Sequence, residues 1–466
     1  MVKNKYSNNF IWAIVDRGGM LFFQLLALLY LSRIISPYDF GLIAILNIFI
    51  VVSNVVIDSG MVGALIKKQD AKPIDYYTLF GYNFFLAILI YLVLFISAPY
   101  IALFYEIPLI TKLIRVLSLT VLINSFGLVQ MVKLTKSLNF KAQAIITIIS
   151  QFISVLFSIL LAKKGYGVWS LVSLQLVHVI ISTIILVVYN KFIPKLKFSK
   201  KSFKDQFEFG GPLLVSNILY IVNTNIYSSL IGKFLTAVQS GYFYQGYKLQ
   251  NTPTGILSAI VDKVAFTLLS KESKKEKIIF LGHKIYKVIY LIIIPVFLFV
   301  FIISEYIFLI FFNEEWKPAA LVFKILCLSL IPISIRMLNR NMLKSFGKTK
   351  TILKIEIINT ILSIGVLMFT ISFGLSIIAY GIFFTNIIMA LISICYLYNK
   401  LDYSLSLQLS VIMRPLIKGL IPLLLLSFVF QKYNGMNTNT KYILYFLLYF
   451  LSYILLSFNE IKKINK

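Results

Sequence analysis

Acidic residues are scarce in this chain: 17 Asp and Glu stand against 45 Lys and Arg, and all charged types together make up 13% of 466 residues. An ordinary soluble domain carries about a quarter. The length alone would suit about three soluble domains, but the charge content excludes them. Cysteine is nearly absent too. Cys327 and Cys395 stand far apart in apolar surroundings without a CxxC pair, which argues against a metal site or a disulfide framework. Of the two histidines, His178 and His283, neither has an acid spaced to share a helix face with it. Walker A and GxGxxG loops are missing, so the chain does not hydrolyse ATP and no cofactor is implied. No connection between apolar runs is long enough to fold as a domain of its own.

What the chain has is apolar sequence: 59% of residues are hydrophobic and the mean hydropathy is +0.89. Runs of about 20 apolar residues recur, as bilayer-crossing helices require. A window of about 19 residues gives about fourteen spans. They fall at 10–35, 40–66, 77–104, 110–133, 141–162, 167–189 and 205–233, then 237–269, 278–303, 319–343, 350–372, 374–398, 411–430 and 441–459. Strands of a membrane barrel would be about 10 residues long and strictly alternating. The expectation is therefore an all-α polytopic membrane protein. Lys3 and Lys5 before the first run resemble a signal peptide, yet the run continues to Ile35, includes Asp16 and Arg17 and has no small-residue cleavage site. It reads as a retained first helix.

The net charge of +28 does not imply nucleic acid, because the cations gather in alternate loops. Lys67, Lys68 and Lys72 follow the second span, and Lys133, Lys136 and Lys141 the fourth. Lys191, Lys195, Lys197, Lys200, Lys201 and Lys204 follow the sixth, with further lysines after the eighth, tenth and last. The intervening loops are poor in cations. This asymmetry puts both termini in the cytoplasm and attracts anionic lipids. Trp12, Trp169 and Trp316 stand near span ends, where an aromatic belt belongs.

The chain also repeats itself. Arg33-Ile34-Ile35-Ser36 with Gly41 matches Lys233-Phe234-Leu235-Thr236 with Gly241, an offset of 200. Ile57-Asp58 matches Val261-Asp262, and Lys136-Ser137-Leu138 matches Lys344-Ser345-Phe346, at slowly growing offsets. Two parallel six-helix halves follow, 1–200 and 201–400, with two further helices and a tail in 401–466. Parallel repeats about an axis along the membrane normal are a transporter architecture.

Leu31-Ser32-Arg33-Ile34-Ile35-Ser36-Pro37-Tyr38-Asp39-Phe40-Gly41-Leu42 resembles the first-loop signature of Wzx-type polysaccharide (O-antigen, lipopolysaccharide biosynthesis) flippases. These belong to the superfamily of multidrug, oligosaccharidyl-lipid and polysaccharide exporters. Leu138-Asn139-Phe140-Lys141 with Gly165-Tyr166-Gly167-Val168-Trp169, and Ile231-Gly232-Lys233 with Gly241-Tyr242-Phe243-Tyr244, are similar to later motifs of that family. Lys233 stands where arginine is commoner. The resemblance covers about residues 10–400. It implies two six-helix lobes around a central cavity, a place in the bacterial inner membrane, and movement of an undecaprenyl-diphosphate-linked oligosaccharide. A polysaccharide polymerase would then be a possible neighbour.

A lipid diphosphate is anionic, so its carrier needs cations within the membrane, where a charge is costly and marks function by default. Arg17, Lys248, Arg336 and Arg340 are the candidates, the last two one helical turn apart with Lys344 beyond them. Pairing is the structural alternative: Arg17 with Asp58, Asp262 with Lys263 or Arg336. Asn217, Tyr220, Thr224 and Ser228 form a helical stripe suited to sugar hydroxyls, or to interhelical contact. Asp58, Asp262 and Glu356 are the ion-coupling candidates, and Pro253 and Pro332 the candidate hinges. Two rival functions stay open, a drug antiporter of the same superfamily and a membrane glycan polymerase or ligase. The latter should carry a sizeable catalytic outer loop.

Overall fold

The computed structural model describes residues 2–58, 60–68, 70–260, 269, 274–432 and 438–464. Among the described residues every regular element is helical. The chain opens with α1 (Val2–Leu31), α2 (Pro37–Asp58), α3 (Met61–Lys67), α4 (Pro73–Tyr105), α5 (Leu109–Leu117) and α6 (Leu119–Lys136). Then come α7 (Phe140–Lys163), α8 (Val168–Asn190), α9 (Lys200–Phe234), α10 (Ala237–Ile260) and α11 (Lys275–Phe311). The remainder is α12 (Lys317–Cys327), α13 (Leu330–Ser345), α14 (Thr349–Thr370), α15 (Leu375–Leu401), α16 (Leu405–Lys432) and α17 (Thr438–Ile464).

Among the described residues the apolar windows of the sequence fall on one helix or on two consecutive ones; the end of the window 237–269 lies outside the described residues. Among the described residues ten spans are long and apolar enough to cross a membrane, and the bent pair α12–α13, counted as one span, brings an eleventh. This is a multi-pass membrane protein. Three of the fourteen expected spans, those on α1, α9 and α10, do not reach that length and apolarity among the described residues. In α1 the apolar part, Gly18–Leu31, is short, whereas α9 and α10 are polar, carrying Asn217, Asn223, Asn225, Gln245, Gln250 and Asn251. The α12–α13 pair bends by 46°. Pro332 sits in the first turn after that break and has no N–H for the carbonyl of Leu328, which is why the helix cannot run straight through.

The helices form two compact units, Met1–Tyr244 with Phe311–Glu315, and Gln245–Ile310 with Trp316–Lys466. In the first, α7 packs between α1 and α8, and α9 lies along α2. Ser150, Ser154 and Ser158 recur every fourth residue on α7, all fully buried, and Ser158 Oγ donates to the carbonyl of Ser170 on α8 at 2.7 Å. Small residues let helices approach closely where no hydrophobic force drives them together. The lipid side is as plain: α4 leaves Phe85, Val93, Ile96 and Leu103 exposed.

Two glycines from the repeated motif meet. A Cβ on Gly41 would strike the carbonyl of Ala237, and a Cβ on Gly241 would strike the carbonyl of Pro37. Both pairs are offset by the same 200 residues. The contact is therefore reciprocal, as a local two-fold axis requires, and only glycine lets the two backbones touch.

In the second unit, α13, α14 and α15 pack together, and α16 pairs with α17. The ring of Phe299 on α11 stacks on Tyr449 of α17 at 5.8 Å, and Tyr453 OH donates to the carbonyl of Leu291 at 2.8 Å. Trp316 precedes α12 but is 1% exposed, so it fills the protein and does not anchor in the interface. Trp12 is half-buried, with the Lys141 ammonium 5.5 Å from its ring.

Candidate functional site

The helical spacing of Arg336, Asn339 and Arg340 turns all three toward the seam that α13 makes with α14 and α15. Arg336 donates from its guanidinium to Asn386 Oδ1 of α15 at 2.8 Å, and Asn386 donates in turn to the carbonyl of Ile382 at 2.9 Å. One turn on, Asn339 Nδ2 donates to Ser393 Oγ at 3.0 Å. Arg340 faces Glu356 of α14 at 3.3 Å, its own side chain 49% exposed and that of Glu356 16%. The two predicted arginines thus share one stripe, and a predicted ion-coupling acid serves as the counter-ion of one of them. A guanidinium has five N–H donors, and a single contact with Glu356 leaves room on Arg340 for another anion.

Lys248 of α10 is half-buried between two buried glutamines, Gln245 and Gln250. Neither amide atom of Gln245 meets a partner among the described residues. An unsatisfied buried amide costs about 1–3 kcal/mol, and water or a polar ligand removes that cost.

The first unit holds a polar column that the sequence reading passed over. Asn47, Asn54 and Asp58 lie on one face of α2. Asn47 Nδ2 donates to Asn225 Oδ1 of α9 at 3.0 Å, and Asn124 Nδ2 of α6 donates to Asn54 Oδ1 at 3.0 Å. Asp58 follows with one carboxylate oxygen buried and unpaired among the described residues. The spacing of seven and then four residues was visible and would have found this face.

The stripe on α9 grades from open to closed. Asn217 is exposed and Tyr220 is 50% exposed. The Thr224 hydroxyl returns to its own helix, donating to the carbonyl of Ile221 at 3.0 Å. Ser228 is buried, and its carbonyl accepts from Ser240 Oγ at 2.7 Å. An exposed asparagine is costly against lipid, so this face suits contact with water.

α9 is fastened to α4 at both ends. Asp75, 2% exposed, accepts from Lys68 Nζ at 2.9 Å, from Ser202 Oγ at 2.6 Å and from the backbone N–H of Lys72 at 2.9 Å. At the other end Lys233 pairs with Glu106 at 3.0 Å, and Tyr105 shares a hydrogen bond with Ser229. Asp75 stands among loop lysines and gave no signal of its own. Arg115, also in the membrane, stacks 4.2 Å over the Phe95 ring, which explains it without a ligand. The Arg17 side chain and Asp262 lie outside the described residues.

The sequence profile of a family described as "Polysaccharide biosynthesis protein" matches residues 30–321. The chain is 24% identical over 284 residues to the teichuronic acid biosynthesis protein TuaB of Bacillus subtilis, covering 60% of this chain and 58% of that one. It is 21% identical over 327 residues to the succinoglycan biosynthesis transport protein ExoT of Rhizobium meliloti, covering 69% and 66%. The lipopolysaccharide biosynthesis protein WzxC of Escherichia coli is 21% identical over 319 residues, covering 68% and 65%. The chain therefore matches less than two thirds of the length of each of these relatives. Among solved structures, the lipid II flippase MurJ in an inward-closed conformation superposes with a TM-score of 0.78 at 14% identity, covering 98% of this chain and 99% of that one. An inward-facing multidrug transporter of the MATE family gives 0.65 at 14% identity, over 84% and 98%. These likenesses establish the fold.

Proposed function

Because the chain belongs to the polysaccharide biosynthesis protein family, we propose that it is a transporter, not an enzyme, and that it flips an undecaprenyl-diphosphate-linked oligosaccharide across the bacterial inner membrane. The relatives named for polysaccharide biosynthesis and transport support this reading. The observation that carries it is the arginine stripe of α13, a helix of the bent apolar pair α12–α13, with the Arg340 side chain half exposed. Planar guanidinium forks suit diphosphate oxygens. The exposed polar face of α9 suits sugar hydroxyls, with Asn217 and Thr224 as contacts, and Lys248 and Arg17 supply further positive charge.

The lysine-rich loops face the cytoplasm in this reading, and both termini with them. The lipid-linked glycan enters from that side with its tail left in the bilayer. The two halves, 1–200 and 201–400, then exchange access by rocking, while 401–466 stays outside the repeat. The reciprocal Gly41–Gly241 contact supports a repeat axis through the lysine-poor ends of α2 and α10. Arg340 links binding to direction. An arriving diphosphate competes with Glu356 for the guanidinium, and Glu356, once released, is placed to take up a proton or sodium ion. Asp58 and Asp262 are the corresponding candidates elsewhere in the chain.

The test is where lipid-linked repeat units collect in a strain lacking the protein. Retention in the cytoplasmic leaflet is the expected result. Single units gathering on the outer side would point to a polymerase and contradict the proposal.

A further inference from the structure

The connection between α8 and α9 takes no part in the proposed substrate contacts. Its inward side is filled. Phe192 stacks on Tyr77 at 5.7 Å beneath the Lys133 ammonium at 4.0 Å, and its carbonyl accepts from Gln130 Nε2 at 2.6 Å. Ser199 N–H donates to Thr78 Oγ1 at 3.1 Å, and Phe203 stacks on Phe207 at 5.5 Å. Between these moorings the chain has no regular structure, and its other side faces outward. Ile193 is 80% exposed, Leu196 73% and Phe198 58%. Lys191, Lys195, Lys197, Lys200, Lys201 and Lys204 alternate with them, all exposed, and no acid occurs from 191 to 204.

Three bare apolar side chains do not suit open water, and six cations do not suit hydrocarbon. The surface between the two suits both. The linker starts at that level: α8 has 23 residues, about 34 Å of helix at 1.5 Å per residue, against a hydrocarbon core of about 30 Å. We propose that residues 191–204 are a docking surface for anionic phospholipid of the leaflet that meets the lysine-rich loops. Ile193, Leu196 and Phe198 enter the boundary between headgroups and acyl chains, and the lysines meet the phosphates. Because this segment joins the two repeated halves, the lipid surface holds their connection in place.

The test uses the full-length protein with Cys395→Ser, to leave only buried Cys327, and Leu196→Cys carrying a nitroxide. The protein is placed in vesicles of phosphatidylcholine alone, or of an equal mixture with phosphatidylglycerol. With phosphatidylglycerol the label should be open to oxygen and shielded from a nickel chelate, and in phosphatidylcholine alone it should face water. Neutralising Lys191, Lys195 and Lys197 to Gln should return it to water in the mixed vesicles, with docking weakened about fivefold per lysine. A label equally wet in both vesicles overturns the proposal, and is the result a protein partner would give. Equal burial in both overturns it as well, because charge would then play no part. Ile193→Cys, labelled alike, gives a second reading if the first variant does not accumulate.

Discussion

Arg340 shows how a charged side chain is kept inside a membrane protein and still made available. Glu356 holds it at 3.3 Å, yet half of its side chain stays exposed. If Arg336 and Arg340 grip the diphosphate, Gln at both sites should abolish export while the protein inserts at normal levels. Each charge-assisted contact is worth about 1.5–3 kcal/mol, so each single Gln variant should lose roughly one to two decades in affinity. Lys at both sites should restore only part, because it keeps the charge without the fork. A purely structural pair behaves otherwise: the double variant would be poorly inserted, and changing Glu356 to Gln would rescue Arg340→Gln. In the transport account Glu356→Gln alone should bind substrate more tightly and lose its dependence on an ion gradient. Substrate affinity and gradient dependence, measured on that one variant, decide between the two.

At the scale of elements, the two ends of α9 and the crossing of α2 with α10 carry the expectations. Asp75 is buried with three donors on its carboxylate, so Asp75→Asn should cost about 1.5–3 kcal/mol and lower the temperature of thermal inactivation. Wild-type thermal stability would contradict the importance of that contact. At Gly41 or Gly241 an added methyl has nowhere to go, and either Gly→Ala change should slow export strongly by propping the helices apart. Unchanged export from well-inserted variants would contradict a need for this close backbone contact. Helix positions were legible from hydrophobic runs, because a bilayer demands them. The arginine stripe was legible from its spacing of four. Glu356 stood out as one of few acids inside a span, but its pairing with Arg340 and the partner Asn386 did not, since nothing local ties α13 to residues brought in by later helices. Asp75 was hidden by its lysine neighbours. The Asn47–Asn54–Asp58 face was readable from its spacing, but neutral amides on a hydrophobic helix barely change its apolar signal.

For the molecule as a whole, the alternation of lysine-rich loops gives a topology that reporter fusions test. A reporter after Lys201 should be cytoplasmic and one near Glu314 outside, and the reverse would remove the orientation on which substrate entry depends. The central claim is movement of a lipid-linked glycan, and the direct measurement is flipping itself. The purified protein is sealed into vesicles with an undecaprenyl-diphosphate-linked oligosaccharide, and a glycosidase is added outside. Wild-type protein should expose the glycan of both leaflets to the enzyme, whereas the Arg336→Gln, Arg340→Gln variant should expose the outer leaflet alone. Protection of the inner-leaflet glycan by wild-type protein, or equal exposure by the double variant, would contradict the account.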